Sequence, residues 1–394
     1  MNNFQPTTAL ISCDEYVYSY QGNFYFRTFG KILCNRYLDV FSQIILAVRV
    51  KFVSTQEALQ NFKLLIDDER ITIHPVSFFQ GPLEYLQEFV KIQTQVRKIP
   101  YCDVAIFRLP STVGFAVLDE IKKRNIPYAV EVIFSPIDMV HNGRKIIERF
   151  LWRRIHKFQV NAIQGAVGVS YVTEFKLQNE YPAPKDAFLS HYSSIELLDS
   201  AFGSKRLFPN PRQYVISHVA DPISGERKGH RVVMELIRFL RDANVDVIAK
   251  FAGTGDAVPY LKNLAKKLDI EDAVFFVGHL NPSELITFLD EAHIMVFPSE
   301  AEGLPRVLIE AMSRGLPCLS TPVSGIPELL PESVLYDKND IQGFAQAFIR
   351  IFTSPEYYET LSAQSYLKAQ EFKKSVLDKR RREFFLQLKR LIKS

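Results

Sequence analysis

Residues 298–317 read PSEAEGLPRVLIEAMSRGLP, and this stretch decides the fold. A strand is predicted to end at Pro298, and Pro305 suits the first turn of a helix because its missing N–H is not needed there. The free backbone N–H groups and the positive dipole end of such a helix form an anion site. The stretch therefore predicts a phosphate-binding strand, loop and helix.

Two carboxylates frame this predicted site. Glu302 and Glu310 are eight positions apart, about two helical turns, so they lie on nearly the same side of the helix. Carboxylates only accept hydrogen bonds, which suits them to hold the hydroxyls of a sugar or a ribose. The alternative is that Glu302 only makes a favourable electrostatic interaction with the helix dipole and that Glu310 is solvated.

The surrounding sequence from about Arg212 onward alternates short apolar runs with longer amphipathic stretches, which is typical of a parallel sheet with crossover helices. Strands are predicted at Gln213–Val219, Val245–Ala252, Ala273–Val277, Ile294–Pro298, Pro317–Thr321 and Val334–Tyr336. Helices are predicted at Gly229–Arg241, Val258–Leu268, Pro282–Ala292, Arg306–Arg314 and Ile341–Phe352. This half of the chain is predicted to be a Rossmann-like domain.

The first half repeats the alternation less clearly. Strands are predicted at Thr8–Cys13, Val40–Val50, Val104–Arg108, Tyr128–Val132 and Ala166–Val172, and helices at Phe29–Tyr37, Thr55–Leu65, Pro82–Val96, Val113–Lys123 and Arg144–Val160. We expect an α/β protein with a domain at 1–205, a second at 206–372 and a basic C-terminal helix at 373–394. Ligands of open parallel sheets bind at the carboxyl ends of the strands, so the expected site is a cleft between two facing domains.

Composition supports a folded protein in a reducing compartment. The 394 residues are 47% hydrophobic and 23% charged, which argues against disorder and fibrous classes. Four cysteines lie far apart with no C-x-x-C pair, so neither zinc nor a disulfide framework is indicated. The N-terminus has no secretory pattern, and no run approaches the ~18 apolar residues that a membrane-spanning helix needs. We therefore expect a cytoplasmic protein, soluble or attached to a membrane surface.

The stretch 298–317, with TPVSGIPEL at 321–329, FAGTG at 251–255 and VFFVGHL at 274–280, resembles the donor site of retaining glycosyltransferases of family 4, which have the GT-B fold. The resemblance implies that Glu310 binds ribose hydroxyls and that Glu302 lies near the transferred sugar. It also implies donor contacts by the two glycine turns, the base-binding loop and the loop before the helix, namely Gly253, Gly278, His279, Leu280, Gly303 and Leu304.

A departing diphosphate requires positive charge. The resemblance assigns this role first to Lys228 in a Lys-Gly pair, which makes Lys228 and Glu302 the implied catalytic residues. The family's usual arginine position is occupied by His218, and the loop from Ala220 to Glu226 is longer than usual. Two alternatives stay open: His218 substitutes for the arginine, or Arg227 folds inward. Arg227 could also be a solvated loop charge.

The first half resembles bacterial capsule and exopolysaccharide transferases of the same family more thinly. Gly22 is implied to lie in the loop after the first strand, where a glycine lets the backbone approach the diphosphate. A histidine that many relatives have after the strand Tyr128–Val132 is absent here. Candidate acceptor or sugar contacts are Arg108, Glu131, Ser135, Asp138 and His141; for the last four, the alternative is an ordinary position on the protein surface.

Two basic segments are candidates for contact with an anionic membrane. Arg144–Phe158 holds six Lys or Arg interleaved with apolar residues and the single Trp152. Residues 373–394 hold nine Lys or Arg against two acidic residues. The alternatives are a plain surface helix for the first segment and, for the second, a helix whose apolar residues pack on the N-terminal domain. No nucleic-acid-binding motif is present.

The hypothesis from sequence is a retaining glycosyltransferase that takes a nucleotide-sugar, expected to be a UDP-sugar, and a saccharide acceptor, with a polyprenyl-diphosphate-linked glycan as the membrane-bound candidate. The chain contains no D-x-D pair, so we expect no metal and no cofactor. The alternatives are an inactive sugar-nucleotide-binding scaffold subunit and a nucleotide-sugar epimerase of similar fold. The expected location is the inner face of the cell membrane.

Overall fold

The computed structural model describes residues 6–26, 30–59, 64–138 and 146–392. The chain divides into two compact units: Met1–Tyr192 together with Asp378–Ser394, and Ser193–Leu377. The boundary lies at Tyr192–Ser193 instead of the expected 205–206. The segment before Lys205 packs on the second unit, since the Ala201 carbonyl accepts from the Arg314 guanidinium at 2.9 Å.

Within the described residues the first unit is built on a parallel sheet. Its strands are β1 (Thr8–Tyr20), β2 (Asn23–Phe26), β3 (Gln43–Phe52), β4 (Leu64–Leu65), β5 (Ile71–Ser77), β6 (Val104–Leu109), β7 (Tyr128–Val132), β8 (Gly168–Tyr171) and β9 (Phe188–His191). Its helices are α1 (Gly30–Leu38), α2 (Gly81–Val96), α3 (Thr112–Lys123), α4 (Ile146–Gln164) and α5 (Lys176–Glu180). The parallel order is β5-β3-β1-β6-β7-β8-β9; the short β2 forms an antiparallel hairpin with the end of β1, and β4 pairs antiparallel with β2.

The second unit is a five-stranded parallel sheet. Its elements are β10 (Tyr214–Val219), α6 (His230–Asp242), β11 (Val247–Ala252), α7 (Val258–Lys267), β12 (Val274–Gly278), α8 (Pro282–Glu291), β13 (Ile294–Phe297), α9 (Arg306–Ser313), β14 (Cys318–Ser320), α10 (Ile341–Thr353) and α11 (Pro355–Ala369). The order β12-β11-β10-β13-β14 confirms the predicted Rossmann-like arrangement. All five strands end at one edge of the sheet, where the loops that carry the predicted donor residues meet.

The C-terminal helix α12 (Lys374–Lys389) returns to the first unit, as predicted. Phe384, Phe385 and Leu388 are fully buried. The Phe384 ring lies 5.0 Å from that of Phe188, and the Phe385 ring lies 5.0 Å from that of Tyr37. Burial of each such side chain stabilises the fold by about 1.5–3 kcal/mol, which is enough to anchor the helix.

Two predicted elements are wrong. Of the helix predicted at Thr55–Leu65, residues 60–63 lie outside the described part of the chain; the described residues form a 3₁₀ turn at Glu57–Leu59 and strand β4, which pairs with β2. The strand at Val334–Tyr336 is a 3₁₀ turn at Glu332–Val334, with one isolated bridge between Ser320 and Leu335. The sequence analysis also missed β2, β5, β9, α5 and α11.

Candidate functional site

The candidate site lies where three loops of the second unit meet at the carboxyl edge of its sheet. The loop between β13 and α9 is tied to the segment before α6, because the Glu300 N–H donates to the Arg227 carbonyl at 2.9 Å. The loop after β14 joins from the other side, where the Gly325 N–H donates to the Gly303 carbonyl at 3.0 Å. These backbone bonds fix the loop that carries Glu302.

Gly229 allows the close approach of these loops. It has a φ of 81°, and a Cβ on it would lie 2.2 Å from the Pro298 carbonyl oxygen. Only glycine fits without displacing the loop, so the Lys-Gly pair has a steric reason. Lys228 is thereby held beside the strand end of β13.

Lys228 and Glu302 form the centre of the site. Lys228 Nζ donates to Glu302 Oε1 at 2.5 Å, and Ser299 Oγ donates to the same oxygen at 2.8 Å. Lys228 Nζ also lies 5.7 Å from the centre of the Phe297 ring. The Lys228 side chain is 39% exposed. The two implied catalytic residues are therefore in contact, with the ammonium accessible to an anion from solution.

Glu310 lies on α9 and is half-buried. Burial raises the pKa of its carboxyl, with Arg306 opposing. Its carboxylate has no hydrogen-bond partner among the described residues. A partly buried carboxylate without a hydrogen-bond partner has oxygens left to accept from the hydroxyls of a ligand. The Glu310 carboxylate is therefore suited to accept hydrogen bonds from the hydroxyls of a ligand.

The position of His218 does not fit the alternative in which this residue replaces the arginine. It is fully buried on β10, its Nδ1 lies 2.8 Å from the Val296 carbonyl oxygen, and its ring is 4.4 Å from that of His230. Burial lowers the pKa of His218 well below its usual value. The ring is neutral and supplies no positive charge. Arg227 is exposed, so in this structure it has not folded inward.

The turns after β11 and β12 form a second cluster at the same edge. His279 Nδ1 lies 2.5 Å from Asp221 Oδ2, and the Thr254 hydroxyl donates to Asp221 Oδ1 at 3.3 Å. The Gly253 N–H donates to the Gly278 carbonyl at 2.7 Å. Asp221 was missed by the sequence analysis, although an acidic residue at a strand end in an unusually long loop was a usable signal. Leu280 follows His279 and is half-buried.

In the first unit, Arg108 and Glu131 come together but form an internal network. Tyr37 donates to Glu131 Oε2 at 2.6 Å, Tyr192 donates to Glu131 Oε1 at 2.8 Å, and Arg108 Nε lies 3.9 Å from Oε2. Burial, followed by the nearby Glu131 charge, raises the pKa of both tyrosines. Glu131 is itself buried, and both of its oxygens are already used.

The remaining first-unit candidates do not gather into one site. Gly22, with φ 80°, forms the turn of the β1–β2 hairpin beside Gln21, so its backbone conformation is explained by the turn. Ser135 is buried and donates to Glu180. Asp138 is half-buried, and His141 lies outside the described residues.

The N-terminus of α3 is filled by a carboxylate that the sequence analysis missed. Asp14 Oδ1 accepts from the Thr112 N–H at 2.9 Å, from the Thr112 hydroxyl at 3.0 Å and from the Ser111 hydroxyl at 3.0 Å. This helix end therefore already holds an anionic group of the protein itself. Within the described parts of the chain, no cluster of three His, Cys, Asp or Glu could hold a metal ion.

Residues 222–368 match the family model described as "Glycosyl transferases group 1". The matched range contains Lys228, Glu302 and Glu310 and leaves out Gly22 and His218. Protein CapJ of Staphylococcus aureus is 25% identical over 349 residues, which cover 87% of this chain and 86% of CapJ. The amylovoran biosynthesis glycosyltransferase AmsK of Erwinia amylovora is 36% identical over 135 residues, covering 32% of this chain and 33% of AmsK.

A solved structure with the same fold is Anabaena Alr3699/HepE, in a complex with UDP and glucose. It superposes with a TM-score of 0.66 at 13% identity, covering 98% of this chain and 100% of that chain. At this identity the likeness shows the fold, which is the GT-B fold with two Rossmann-like domains. The chain therefore matches the glycosyl transferases group 1 model over residues 222–368 and has the GT-B fold.

Proposed function

We propose that this protein is a retaining glycosyltransferase of family 4 that transfers a sugar from a UDP-sugar to a saccharide acceptor during synthesis of a bacterial surface polysaccharide. The observation that carries the proposal is the contact between Lys228 and Glu302, together with the Glu310 carboxylate on α9, which has no hydrogen-bond partner among the described residues. The name of AmsK supports a role in polysaccharide synthesis, and the UDP in the HepE complex supports the donor class.

The proposed mechanism follows from the charges at this edge of the sheet. Lys228 and the N-terminus of α9 stabilise the negative charge that develops on the leaving diphosphate. Glu302 accepts from a hydroxyl of the transferred sugar after exchanging its bond with Lys228, and Glu310 accepts from the ribose hydroxyls. The acceptor hydroxyl attacks the anomeric carbon from the side of the leaving group as the bond from that carbon to the diphosphate oxygen breaks, and the hydroxyl proton passes to the departing diphosphate, so the configuration is retained. No step is assigned to a metal ion.

The proposed acceptor is a glycan carried on a polyprenyl diphosphate, which places the enzyme on the inner face of the cell membrane. No helix among the described residues has the length and apolarity to cross a membrane. A peripheral enzyme would reach such an acceptor by lying on the bilayer surface.

The first test is thermal stability with a panel of nucleoside diphosphates. A ligand at about 100 times its dissociation constant adds about 2.7 kcal/mol to the free energy of unfolding. We expect a selective rise in Tm with UDP, lost in Glu310→Ala. The proposed donor site is wrong if no nucleoside diphosphate raises the Tm of the wild-type protein.

Donor turnover without acceptor separates the alternatives. A transferase slowly releases UDP from its donor, an epimerase produces a new sugar nucleotide, and a scaffold subunit does neither. The neutral, buried His218 is the observation that favours the scaffold, because one expected phosphate-binding charge is missing. We expect slow UDP release that is lost in Lys228→Ala.

A further inference from the structure

Helix α4 has one side covered with positive charge. Arg149, Arg153, Arg154 and Lys157 are all exposed, and their spacing places them on one side of the helix. Phe150 lies among them and is 60% exposed. None of the four cations pairs with another described residue. Within the described part of the chain, therefore, no acidic side chain neutralises this face, and its charge is available to an external anion.

Helix α2 has an apolar side that is open to solvent. Leu83, Leu86 and Val90 are 74%, 68% and 77% exposed, and the i, i+3, i+7 spacing aligns them. The opposite side of the helix, with Ile92 and Val96, is buried against the sheet. The exposed side therefore points away from the sheet.

The two helices lie on the same side of the first-unit sheet. The chain passes from β5 to β6, β7 and β8 through α2, α3 and α4 in one direction along the sheet, and right-handed crossovers place these helices on one face. Helix α3 lies between the other two, and its Phe115 ring is 3.7 Å from the Phe158 ring of α4. The cationic side of α4 and the apolar side of α2 therefore belong to one face of the unit.

The other basic helix, α12, is built differently. Its large apolar residues are buried in the first unit, and it packs against Tyr37 of α1 on the opposite side of the sheet. Several of its cations are used by the protein: Lys374 pairs with Glu196 at 3.1 Å, Arg381 pairs with Asp378 at 2.6 Å, and Lys389 donates to the Val40 carbonyl at 2.7 Å. Helix α12 has no large apolar side left to enter a bilayer.

We propose that the α2–α4 face of the first unit, defined by Leu83, Leu86, Val90, Phe150 and the four α4 cations, lies on the surface of an anionic phospholipid bilayer. Exposed leucine and valine side chains enter the interface, and the adjacent arginines and lysine bind lipid phosphates. This inference rests on the proposed function in one respect: an enzyme whose acceptor is lipid-linked must contact the membrane. The binding itself requires no donor or acceptor.

The test measures sedimentation of the full-length protein with vesicles of phosphatidylcholine, with or without phosphatidylglycerol. The triple variant Arg149→Gln, Arg153→Gln, Lys157→Gln on α4 is compared with a second triple, Lys379→Gln and Arg382→Gln on α12 with Arg390→Gln directly after it. Each triple lowers the formal net charge of +4 by three, so the long-range attraction changes equally. A third variant, Leu83→Gln, Leu86→Gln, Val90→Gln, removes the apolar side of α2.

We expect the wild-type protein to bind the phosphatidylglycerol vesicles, and the α4 triple to weaken this binding by about 100-fold, about fivefold for each cation. The α12 triple stays within about threefold of wild type, and the α2 triple loses binding at every salt concentration. Equal losses from the α4 and α12 triples would overturn the proposal, as would wild-type protein that ignores vesicles. Binding to a soluble acidic polysaccharide without binding to vesicles would assign the face to a glycan instead.

The rise in Tm with UDP, measured on the same samples, separates this inference from the proposed function. Vesicle binding without a UDP effect contradicts the donor site and leaves the membrane face standing. A rise in Tm with UDP without vesicle binding supports the donor site and contradicts the membrane face. The UDP effect in all three variants also shows that each one is folded.

Discussion

Each unit has, among its described residues, a predicted site in which a cation lies near carboxylates, and the two sites differ in which carboxylate oxygens are already hydrogen-bonded. In the first unit, Glu131 is buried with both oxygens occupied by tyrosine hydroxyls beside Arg108. In the second unit, the Lys228 side chain is 39% exposed, and the Glu310 carboxylate feels the charge of Arg306 but has no hydrogen-bond partner among the described residues. A saturated network stabilises the protein, whereas an unsatisfied one is available to a ligand.

The same contrast holds at two helix N-termini. The start of α3 is filled by the Asp14 carboxylate, which accepts from the Thr112 N–H at 2.9 Å. At the start of α9, Pro305 makes no side-chain cap, and the residues before it are the half-buried Gly303 and Leu304. One helix dipole is thus already compensated by the protein, and the other is left for an external anion.

The largest effect is expected from Glu131→Ala, and it should be on stability. The substitution leaves the Tyr37 and Tyr192 hydroxyls buried without their acceptor and Arg108 without its counter-charge. We expect the free energy of unfolding to fall by about 3–5 kcal/mol, measured by denaturant titration. Glu131→Gln keeps an acceptor oxygen and should lose less. If Glu131→Ala leaves the stability unchanged and abolishes sugar transfer, then Glu131 is an acceptor contact, as the sequence analysis predicted.

The next largest effect is expected from Lys228→Ala, and it should be on turnover. Removing one charge that stabilises the leaving group slows an enzyme by about 10²–10³. Because the Lys228–Glu302 pair is partly exposed, the free energy of unfolding should change by less than about 1 kcal/mol. Donor turnover and denaturant titration of the same variant measure both.

A matched control for this variant lies nearby. Lys338 pairs with Glu300 at 2.6 Å, and its side chain is as exposed as that of Lys228. Lys338→Ala should leave turnover within about threefold of wild type, since a pair of this kind contributes about 0–1 kcal/mol. Equal losses in both variants would mean that loop structure, and not the Lys228 charge, controls turnover.

The second unit was easier to predict than the first. Helix α9 and strand β13 begin at their predicted residues, because a buried parallel sheet produces continuous apolar runs with clear breaks. The meeting of Lys228 and Glu302 follows from where parallel strands end. In contrast, the roles of Glu131 and Asp14 depend on partners 94 and 98 positions away. Local periodicity contains no information about such partners, so Glu131 was predicted as a ligand contact and Asp14 was missed.

The smallest effect is expected from Glu310→Gln, and its sign tests the comparison most directly. Burial raises the pKa of Glu310 in the folded protein, so folding favours the protonated form. The charged form therefore lowers stability above the folded pKa, and this penalty disappears as the pH falls below the unfolded value of about 4.3. We expect Glu310→Gln to have a higher Tm than wild type at about pH 7, with the gap narrowing toward about pH 4.

The same variant should bind UDP more weakly at about pH 7, because a neutral amide accepts less strongly than a carboxylate from the ribose hydroxyls. A variant that is more stable than wild type but binds UDP more weakly shows that the replaced carboxylate serves ligand binding and lowers the stability of the fold. A structural carboxylate such as Glu131 would lose stability on the same Glu-to-Gln change. If Glu310→Gln lowers the Tm and leaves UDP affinity unchanged, then Glu310 has a structural role like that of Glu131, and the contrast between the two sites is wrong.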